Sequence, residues 1–370
     1  MSRIRHFIKE AFLKKQIRKE RHYEEGLELK NYPKATAIPL TIDEKNAVYS
    51  MWGKITNEIS MKEFEHFKFF YGFDARFLTH DLYLPLVARL LNDYNITKFF
   101  ENKSLLGYLK NEGILFPDVY CRLVEGEYYD GHMKQISLKQ CVAECAKNDD
   151  FIIKPSKNTS GGKGVGIHKR GSFNKVQWEN CIEEELLSRC NDYVVQSLVK
   201  QNSVMAKLNP TSVNTIRLYT LYLNGVVSSH AVIVRIGKKG SLVDNIGQGG
   251  VGVGIHDDGM LYEYGFTPQH DKVYDINGVT FAKYCIPMIP KVIEKIKLAH
   301  VNNFSLCKFI GWDVAINESG DPVIIEINSS QPGVNFEQLF YGPMFGERTE
   351  EVIDYCSKKH FTYNKSIFKY

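Results

Sequence analysis

Two acidic residues and an asparagine in the C-terminal third of the sequence could together hold a divalent cation. Residues 311–328 read GWDVAINESGDPVIIEIN, in which two β-rich runs flank a turn whose Ser-Gly-Asp core is typical of a hairpin. Asp313 lies on the first run, while Glu326 and Asn328 lie on the second, where strand alternation would place both on one face. Two carboxylates and an amide oxygen are hard ligands of the kind Mg²⁺ prefers, with positions left for substrate phosphates. An exposed hairpin with ordinary polar positions would explain the same residues.

A glycine-rich run further upstream could approach a polyphosphate. Residues 151–155 predict a buried strand that contains Lys154, and the run KNTSGGKGVGI follows from Lys157. Glycines let the backbone amides come close to phosphate oxygens. The run lacks GxxxxGK[ST] and leads into a β-like segment, which excludes a P-loop and a dinucleotide-binding turn. The pattern favours a flap between two strands that covers a nucleotide, although a plain glycine hairpin would look the same.

Two arginines lie within strand-like segments that an Asn-Gly turn joins. Arg217 falls in residues 214–222 and Arg235 in residues 226–236. An arginine in a strand commonly extends to a sheet edge, but two on adjacent strands facing a phosphate site would stabilise a transferring phosphoryl group. The glycine-dense run 244–254 is longer than a hairpin turn needs, and we interpret it as a mobile loop on the substrate side.

Length and composition indicate a folded protein of two or three subdomains. The chain has 370 residues, of which 44% are hydrophobic and 12% aromatic, so it can bury substantial cores. The net charge of +4 is small and concentrated near the N-terminus, which argues against a nucleic-acid-binding face. Residues 40–120 are predicted to be mostly helical, from a capping signature at Thr41, with their many aromatic residues in a core.

The cysteines and the hydropathy pattern predict a cytoplasmic protein. Eight cysteines form no CxxC pair and no metal-binding spacing, and Cys141 and Cys145 have the spacing of ordinary burial on a helix. Since no secretory signal is evident, we expect free thiols in a reducing cytosol. No run of 18 apolar residues occurs, so we expect no membrane span.

Residues 1–30 predict a basic amphipathic helix with two alternative partners. Apolar residues recur at helical spacing, and eight lysines and arginines lie between them. Such a helix can lie on an anionic membrane surface through residues 1–25, at the inner face of the membrane. Alternatively, its apolar stripe docks on the same protein or on a second subunit.

The order of these segments resembles the ATP-grasp superfamily. A Lys-Pro strand, a glycine flap, a helix, a hinge strand, an arginine-bearing strand pair and an Asp/Glu-x-Asn hairpin follow one another between about Asn102 and Phe345. The pieces NTIRLYTL, IGWDVAI, VIIEIN and LTHDLYLPLVARLLN are most similar to the sugar-transfer-associated group, which is found with polysaccharide and capsule assembly genes. The resemblance implies an α+β fold, in which two α+β subdomains clamp ATP after a mostly helical N-terminal domain. The expected divisions are a basic segment at 1–38, the helical domain at 39–114, a flap and hinge subdomain at 115–200, and a metal-site subdomain at 201–370.

The resemblance also implies roles for individual residues. The phosphates of ATP would contact Lys103 and Lys154, and the flap over them would comprise Ser160, Gly161, Gly162, Lys163, Gly164 and Val165. The hinge around adenine would comprise Gln196, Ser197, Leu198 and Val199, and Gln201 would contact the ribose. Arg217 and Arg235 would be catalytic, and Asp313, Glu326 and Asn328 would hold two Mg²⁺ ions, for which Mn²⁺ could substitute.

The activity that the resemblance implies is an ATP-dependent carboxylate–amine ligase that forms an amide through an acyl phosphate. Its small-molecule substrates would be a carboxylate and an amine, sugar-linked in the setting of a cell-surface glycan, and no nucleic acid is expected. Two alternatives remain open: a kinase with the same ATP site that phosphorylates a hydroxyl or carboxyl, and a non-catalytic nucleotide-binding scaffold. The sequence does not indicate the oligomeric state.

Overall fold

The computed structural model describes residues 2–32, 37–106, 113–157, 162–190, 192–241 and 244–359, with side chains from residue 15 onward. Its helices are α1 (Ser2–Glu28), α2 (Ile42–Trp52), α3 (Lys62–Phe70), α4 (His80–Leu82), α5 (Ala88–Leu91), α6 (Tyr94–Phe100), α7 (Leu138–Ala146), α8 (Lys175–Leu187), α9 (Ser203–Leu208), α10 (Ile289–Asn303), α11 (Asn335–Tyr341) and α12 (Thr349–Ser357). Its strands are β1 (Val119–Val124), β2 (Glu127–Asp130), β3 (Asp150–Pro155), β4 (Gly166–Lys169), β5 (Tyr193–Gln196), β6 (Thr215–Leu223), β7 (Val226–Ile236), β8 (Val251–Ile255), β9 (Leu261–Phe266), β10 (Lys272–Val273), β11 (Asp275–Ile276), β12 (Val279–Thr280), β13 (Phe309–Ile316) and β14 (Pro322–Asn328).

The helical segment before residue 106 forms as the sequence predicts. Helix α2 begins at a capping box, in which the Thr41 side chain accepts from the Glu44 amide and the Glu44 side chain accepts from the Thr41 amide. A π-helical turn at Tyr83–Val87 lies between α4 and α5 and contains Pro85. Several aromatic residues of this block, among them Phe64, Phe67 and Phe77, are buried in one core with α11, α12 and one face of the larger sheet. Phe69 and Tyr71 are exposed, so the expectation of a core is confirmed for part of the block.

The second half of α1 docks on the helical domain. Ile17, Arg21, Glu25 and Glu28 are all buried. Arg21 pairs with Asp81, and Nη2 lies 2.7 Å from Oδ2. This half of the helix therefore docks on the same chain, which is one of the two alternatives expected for residues 1–30. None of the described helices is long and apolar enough to cross a bilayer.

A five-stranded antiparallel sheet in the order β2-β1-β5-β3-β4 carries the predicted flap and hinge. Helices α7 and α8 pack with it around a separate core that includes Trp178 and Phe151. The hinge strand ends at Gln196, earlier than the stretch predicted as strand. The expectation of free thiols is wrong for two cysteines, because Cys121 on β1 and Cys141 on α7 form a disulfide. Their proximity arises from the packing of α7 on β1, which the sequence spacing does not reveal.

A seven-stranded antiparallel sheet in the order β10-β9-β8-β7-β6-β13-β14 forms the other half. Helix α10 covers one face, and the N-terminal helices and α11 cover the other. The hairpin predicted at 311–328 is confirmed as the β13–β14 pair. The expectation of a mobile loop at 244–254 is partly wrong, because residues 251–255 form the buried strand β8. Its glycines serve close packing here: a Cβ at Gly252 would lie 2.4 Å from Phe336.

We expect Arg21→Ala to lower the free energy of unfolding by about 3 kcal/mol, because Asp81 would remain buried without its counter-charge. Arg18 is the matched control, since it pairs with the exposed Glu58 from the same helix. Arg18→Ala should leave stability unchanged. Urea unfolding followed by circular dichroism measures both variants, and equal loss in the two would show that the Arg21–Asp81 pair does not fasten α1.

Candidate active site

The register of four neighbouring strands brings the predicted catalytic and metal-binding side chains to one face of the larger sheet. Asp313 on β13 lies directly opposite Arg217 on β6 and opposite Glu326 on β14. Arg235 on β7 lies opposite Thr215, two residues before Arg217. Directly opposed residues share a face, and so do residues two apart on one strand. The site thus spans β7, β6, β13 and β14 on the face that the N-terminal helices also cover.

Asp313 is the centre of this group. Arg217 binds it through two atoms, with Nε 2.5 Å from Oδ1 and Nη2 3.0 Å from Oδ2. Arg235 Nη1 lies 3.1 Å from Oδ1, and Asn328 Nδ2 lies 3.4 Å from Oδ2. Although burial alone would raise the pKa of Asp313, the two arginines hold this pKa below its ordinary value. The arginines therefore lie inside the site and do not extend to a sheet edge.

Both lysines predicted to contact the ATP phosphates also lie close to this group of side chains, although they belong to the part of the chain before the larger sheet. The turn at 102–104 docks on the end of β3, where Lys103 N donates to Ser156 O at 3.0 Å and the Ser104 and Ser156 hydroxyls share a hydrogen bond. Lys103 Nζ then lies 2.8 Å from Glu326 Oε1. Lys154 is buried on β3. The sequence pattern alone did not indicate the contact between the turn and β3, which carries this convergence.

Lys154 has an unusually low pKa for a lysine. Burial lowers its pKa to about 8, although Glu326, Asp244 and Asp313 favour the charged form. An amine with such a pKa gains its full charge when a phosphate replaces the missing solvation. The surroundings of Lys154 thus fit an anion site better than a permanent ion pair.

Three carboxylates that the sequence analysis did not assign complete the surroundings. Asp244 Oδ1 accepts from Arg235 Nη2 at 3.2 Å, and its Oδ2 accepts from the Thr215 amide at 3.0 Å. Glu337 is buried on α11 and accepts from the Tyr219 hydroxyl at 2.8 Å, and burial raises the pKa of Glu337. Asp244 lies at the start of the glycine-dense run, and Glu337 lies in the aromatic tail. Neither had a local pattern that could have revealed its role.

Glu101 is the third of these carboxylates, and it holds the chain that follows β14. Its Oε1 accepts from the Ser329 amide at 2.7 Å and the Ser330 amide at 2.6 Å. Since Glu101 is two residues before Lys103 and Ser329 follows Asn328, one carboxylate aligns the lysine turn with the end of β14. No local sequence pattern identified these partners of Glu101.

The flap is a hairpin between β3 and β4, and only part of it is described. Ser160 and Gly161 lie outside the described residues. Gly162 and Gly164 have φ of 74° and 73°, which favours glycine. Lys163 is exposed and Val165 half-buried. Arg189, held by Glu185, donates to the Gly164 carbonyl and so anchors the base of the flap.

The predicted hinge begins at the last residue of β5 and continues into the chain that follows this strand. Gln196 is buried and pairs with Val119 and Ile152. Ser197 N donates to Asp118 O at 2.8 Å, and Asp118 N donates to the Ser197 hydroxyl at 3.0 Å. Leu198 and Val199 are half-buried beyond this contact.

The ribose contact expected for Gln201 needs correction. Its Nε2 donates to Asn209 O at 3.1 Å and to Ser212 O at 2.8 Å, while its Oε1 accepts from the backbone and side-chain nitrogens of Asn214 at 3.1 Å each. The amide therefore has no hydrogen left for a ribose hydroxyl. Gln201 instead holds the chain that leads into β6 and Arg217.

The profile of the sugar-transfer associated ATP-grasp family matches residues 87–354. The chain belongs to this family. Its two sheets and their connecting elements form the ATP-grasp fold, with a helical region before it. The match begins within the helical region, inside the piece LTHDLYLPLVARLLN that the sequence analysis found similar to this group. No curated protein sequence matches this ATP-grasp chain significantly.

Solved ATP-grasp structures are similar to the chain at low sequence identity. The VanG D-Ala:D-Ser ligase from Enterococcus faecalis is 13% identical with a TM-score of 0.38, and the alignment covers 70% of this chain and 61% of the ligase. D-alanyl-alanine synthetase A from Vibrio cholerae is 13% identical with a TM-score of 0.37, covering 70% and 64%. The biotin carboxylase domain of the Hydrogenobacter thermophilus 2-oxoglutarate carboxylase, in complex with MgADP, is 11% identical with a TM-score of 0.43, covering 74% and 49%. The chain spans less than two thirds of each of these proteins.

We expect Asp313→Asn to lower the free energy of unfolding by about 3 kcal/mol, because two buried guanidinium groups would lose their shared counter-charge. Glu318→Gln is the matched control, since Glu318 is exposed at the turn of the same hairpin. It should cost less than about 1 kcal/mol. Chemical denaturation of both variants measures the difference. Similar small losses in both would contradict the central role of Asp313.

We expect the affinity for a nonhydrolysable ATP analogue to fall as the pH rises above about 8. Lys154 has its pKa at about 8 in the free protein, and a phosphate favours the charged amine. The Lys154 contribution is therefore complete below that pH and declines by up to about tenfold per pH unit above it. Titration calorimetry between neutral and alkaline pH measures this slope. Lys154→Arg keeps its charge throughout and should flatten the profile; an unchanged slope in this variant would assign the effect to another group.

Proposed function

We propose that the protein is an ATP-dependent carboxylate–amine ligase that acts in cell-surface polysaccharide or capsule biosynthesis. The observation that supports this most is the convergence of Asp313 and Glu326 with the phosphate lysine Lys103 and two buried arginines. Positive side chains suited to a polyphosphate and oxygen ligands suited to a cation meet on one sheet face. The family's association with sugar transfer supports a sugar acid, or another sugar-linked molecule, as one substrate, and an amino acid or amine as the other.

The residues present fit the divalent cations that this chemistry needs. Asp313, Glu326 and the Oδ1 atom of Asn328 would hold Mg²⁺, for which Mn²⁺ could substitute, and we propose two ions. Asn328 Nδ2 already donates to Asp313, which leaves its oxygen for a cation. When bound, Mg²⁺ neutralises phosphate charge and orients the γ-phosphate for in-line attack.

The arginines would change partners when ATP binds. In the structure described, the contacts from Arg217, Arg235 and Asn328 occupy both oxygens of Asp313. A carboxylate offers about four lone-pair directions, so a cation at Asp313 competes with these guanidinium groups. We propose that they turn towards the γ-phosphate, where they stabilise the charge that develops during transfer. Asp313 would thus hold the arginines ready until the substrates arrive.

The reaction requires no side-chain nucleophile. The carboxylate of one substrate attacks the γ-phosphate of ATP, and ADP leaves. The amine of the second substrate then attacks the acyl carbon, the C–N bond forms, and phosphate departs with the loss of one amine proton. Lys103, Lys154 and the flap would hold the phosphates, and the hinge at 196–199 would hold adenine. Positioning and electrostatic stabilisation would account for the rate.

We expect phosphate release from ATP only when a carboxylate and an amine are supplied together. A matrix of uronic acids and amino acids, each alone and in pairs, tests this with a coupled phosphate assay and mass spectrometry of the amide. Release of ADP with a phosphorylated single substrate would establish the kinase alternative instead. Nucleotide binding without turnover across the whole matrix would favour the scaffold.

We expect Glu326→Gln to abolish turnover while stability changes little, since the variant keeps the shape of the side chain but loses a metal-binding charge. With active substrates, the loss should exceed about a hundredfold in kcat. Glu318→Gln, at the exposed turn of the same hairpin, is the control and should retain activity. Turnover that survives in Glu326→Gln would contradict the metal assignment.

A further inference from the structure

A second group of potential metal ligands lies in the helical domain, on different elements from the ATP site. It consists of Glu28 near the end of α1, Glu63 on α3 and His80 at the start of α4. Each offers one ligand atom, and these atoms all lie within 4.8 Å of one another. A zinc ion bound at about 2.0–2.2 Å would draw such atoms to roughly 3.3 Å apart. Small side-chain movements would therefore close the group around an ion.

The contact between His80 and Glu28 brings two potential ligand atoms together. His80 Nδ1 lies 3.1 Å from Glu28 Oε2. Although burial lowers the pKa of His80, Glu28 raises it to about 9, so a bound cation would displace the Nδ1 proton. Once that proton has left, two atoms at this separation can be ligands of one cation.

Burial makes the two carboxylates costly without a cation. Glu28 and Glu63 are 7% and 1% exposed. The buried arginine of the same helix, Arg21, is committed to Asp81. Burial disfavours an ionised carboxylate, and it raises the pKa of Glu63 to about 8. A divalent cation with a neutral histidine would balance both carboxylates.

A second histidine provides an independent observation. His270, on the loop between β9 and β10, is 4% exposed, and its Nδ1 has no partner among the described residues. Its charge interacts with Glu28, and its ring lies against Tyr32, 4.7 Å between centroids. A buried imidazole nitrogen without a partner thus stands beside the group from another part of the chain. After a side-chain movement towards Glu28, this nitrogen would supply a fourth ligand.

The remaining contacts of Glu63 are those expected around a metal site. Its Oε2 accepts from the His80 backbone amide at 2.7 Å, and the Asn335 side chain on α11 donates to its Oε1. Hydrogen bonds of this kind orient ligating carboxylates. They also connect α3, α4 and α11 at one point.

We propose that Glu28, Glu63 and His80, completed by His270, bind a divalent transition-metal ion that fastens the N-terminal helix to the rest of the protein. Imidazole ligands disfavour Mg²⁺ and favour zinc and its neighbours, so this site differs in chemistry from the ATP site. The cysteine group of Cys121, Cys141 and Cys145 is a weaker candidate, because two of its sulfurs are joined in a disulfide.

Zinc content and thermal stability test the proposal on the full chain. The protein is stripped with a chelator, reloaded with zinc chloride, desalted without nucleotide, and then measured by elemental analysis and thermal unfolding. We expect about one zinc per chain and a higher Tm with zinc. Glu63→Gln, which keeps the shape of the side chain, should lose both. Glu65→Gln on the same helix and Glu326→Gln in the ATP site should keep both.

Zinc retained in Glu63→Gln at the wild-type level, or absent from the wild type, would overturn the proposal. X-ray absorption of the zinc-loaded wild type gives an answer even if Glu63→Gln does not fold. An oxygen and nitrogen shell with imidazole scattering supports the site, since the ATP-site ligands include no histidine. Sulfur ligands, or a shell without imidazole, would place the ion elsewhere and overturn it.

Discussion

The carboxylate of Asp313 between two buried arginines is the interaction on which the active site depends. Arg217 and Arg235 lie on different strands and would repel each other if nothing separated them. Asp313 lies on β13, between the strand of Arg217 and the strand of Glu326, and it neutralises both arginines. Asp244 provides a second negative charge at Arg235. The antiparallel register supplies this arrangement automatically, because directly opposed residues on neighbouring strands share a face.

The same charges explain why the site suits a substrate that carries both phosphates and metal ions. Lys103, Arg217 and Arg235 are paired with Glu326, Asp313 and Asp244, and Lys154 lies among the same carboxylates. Under the proposed function, the phosphates would take over the cationic side chains and the metal ions would take over the carboxylates. Every buried charge would then exchange one partner for another, and none would be left without a counter-charge in either state.

The sequence revealed those features whose signals are local. The hairpin at 311–328, the arginine-bearing strands and the capping box at Thr41 each depend on neighbouring residues, and the structure has all three. The sequence analysis did not predict features that depend on contacts across the fold. Residues 251–255 of the glycine-dense run form β8, the Gln201 side chain binds backbone groups, and Cys121 forms a disulfide with Cys141. Asp244 and Glu337 are ordinary acidic residues until strand register and α11 bring them to the arginines.

Helix α11 makes hydrogen bonds both to the active site and to the helical domain. Its Glu337 accepts from Tyr219, which lies beside Arg217 on β6. Two residues earlier, Asn335 donates to Glu63 in the group that we propose as a metal site. One short, buried helix thus holds polar contacts to both groups. Since unsatisfied buried polar atoms are costly, a shift of the helical domain would disturb the contact at Tyr219. The N-terminal helices are therefore part of the framework around Arg217 and Arg235.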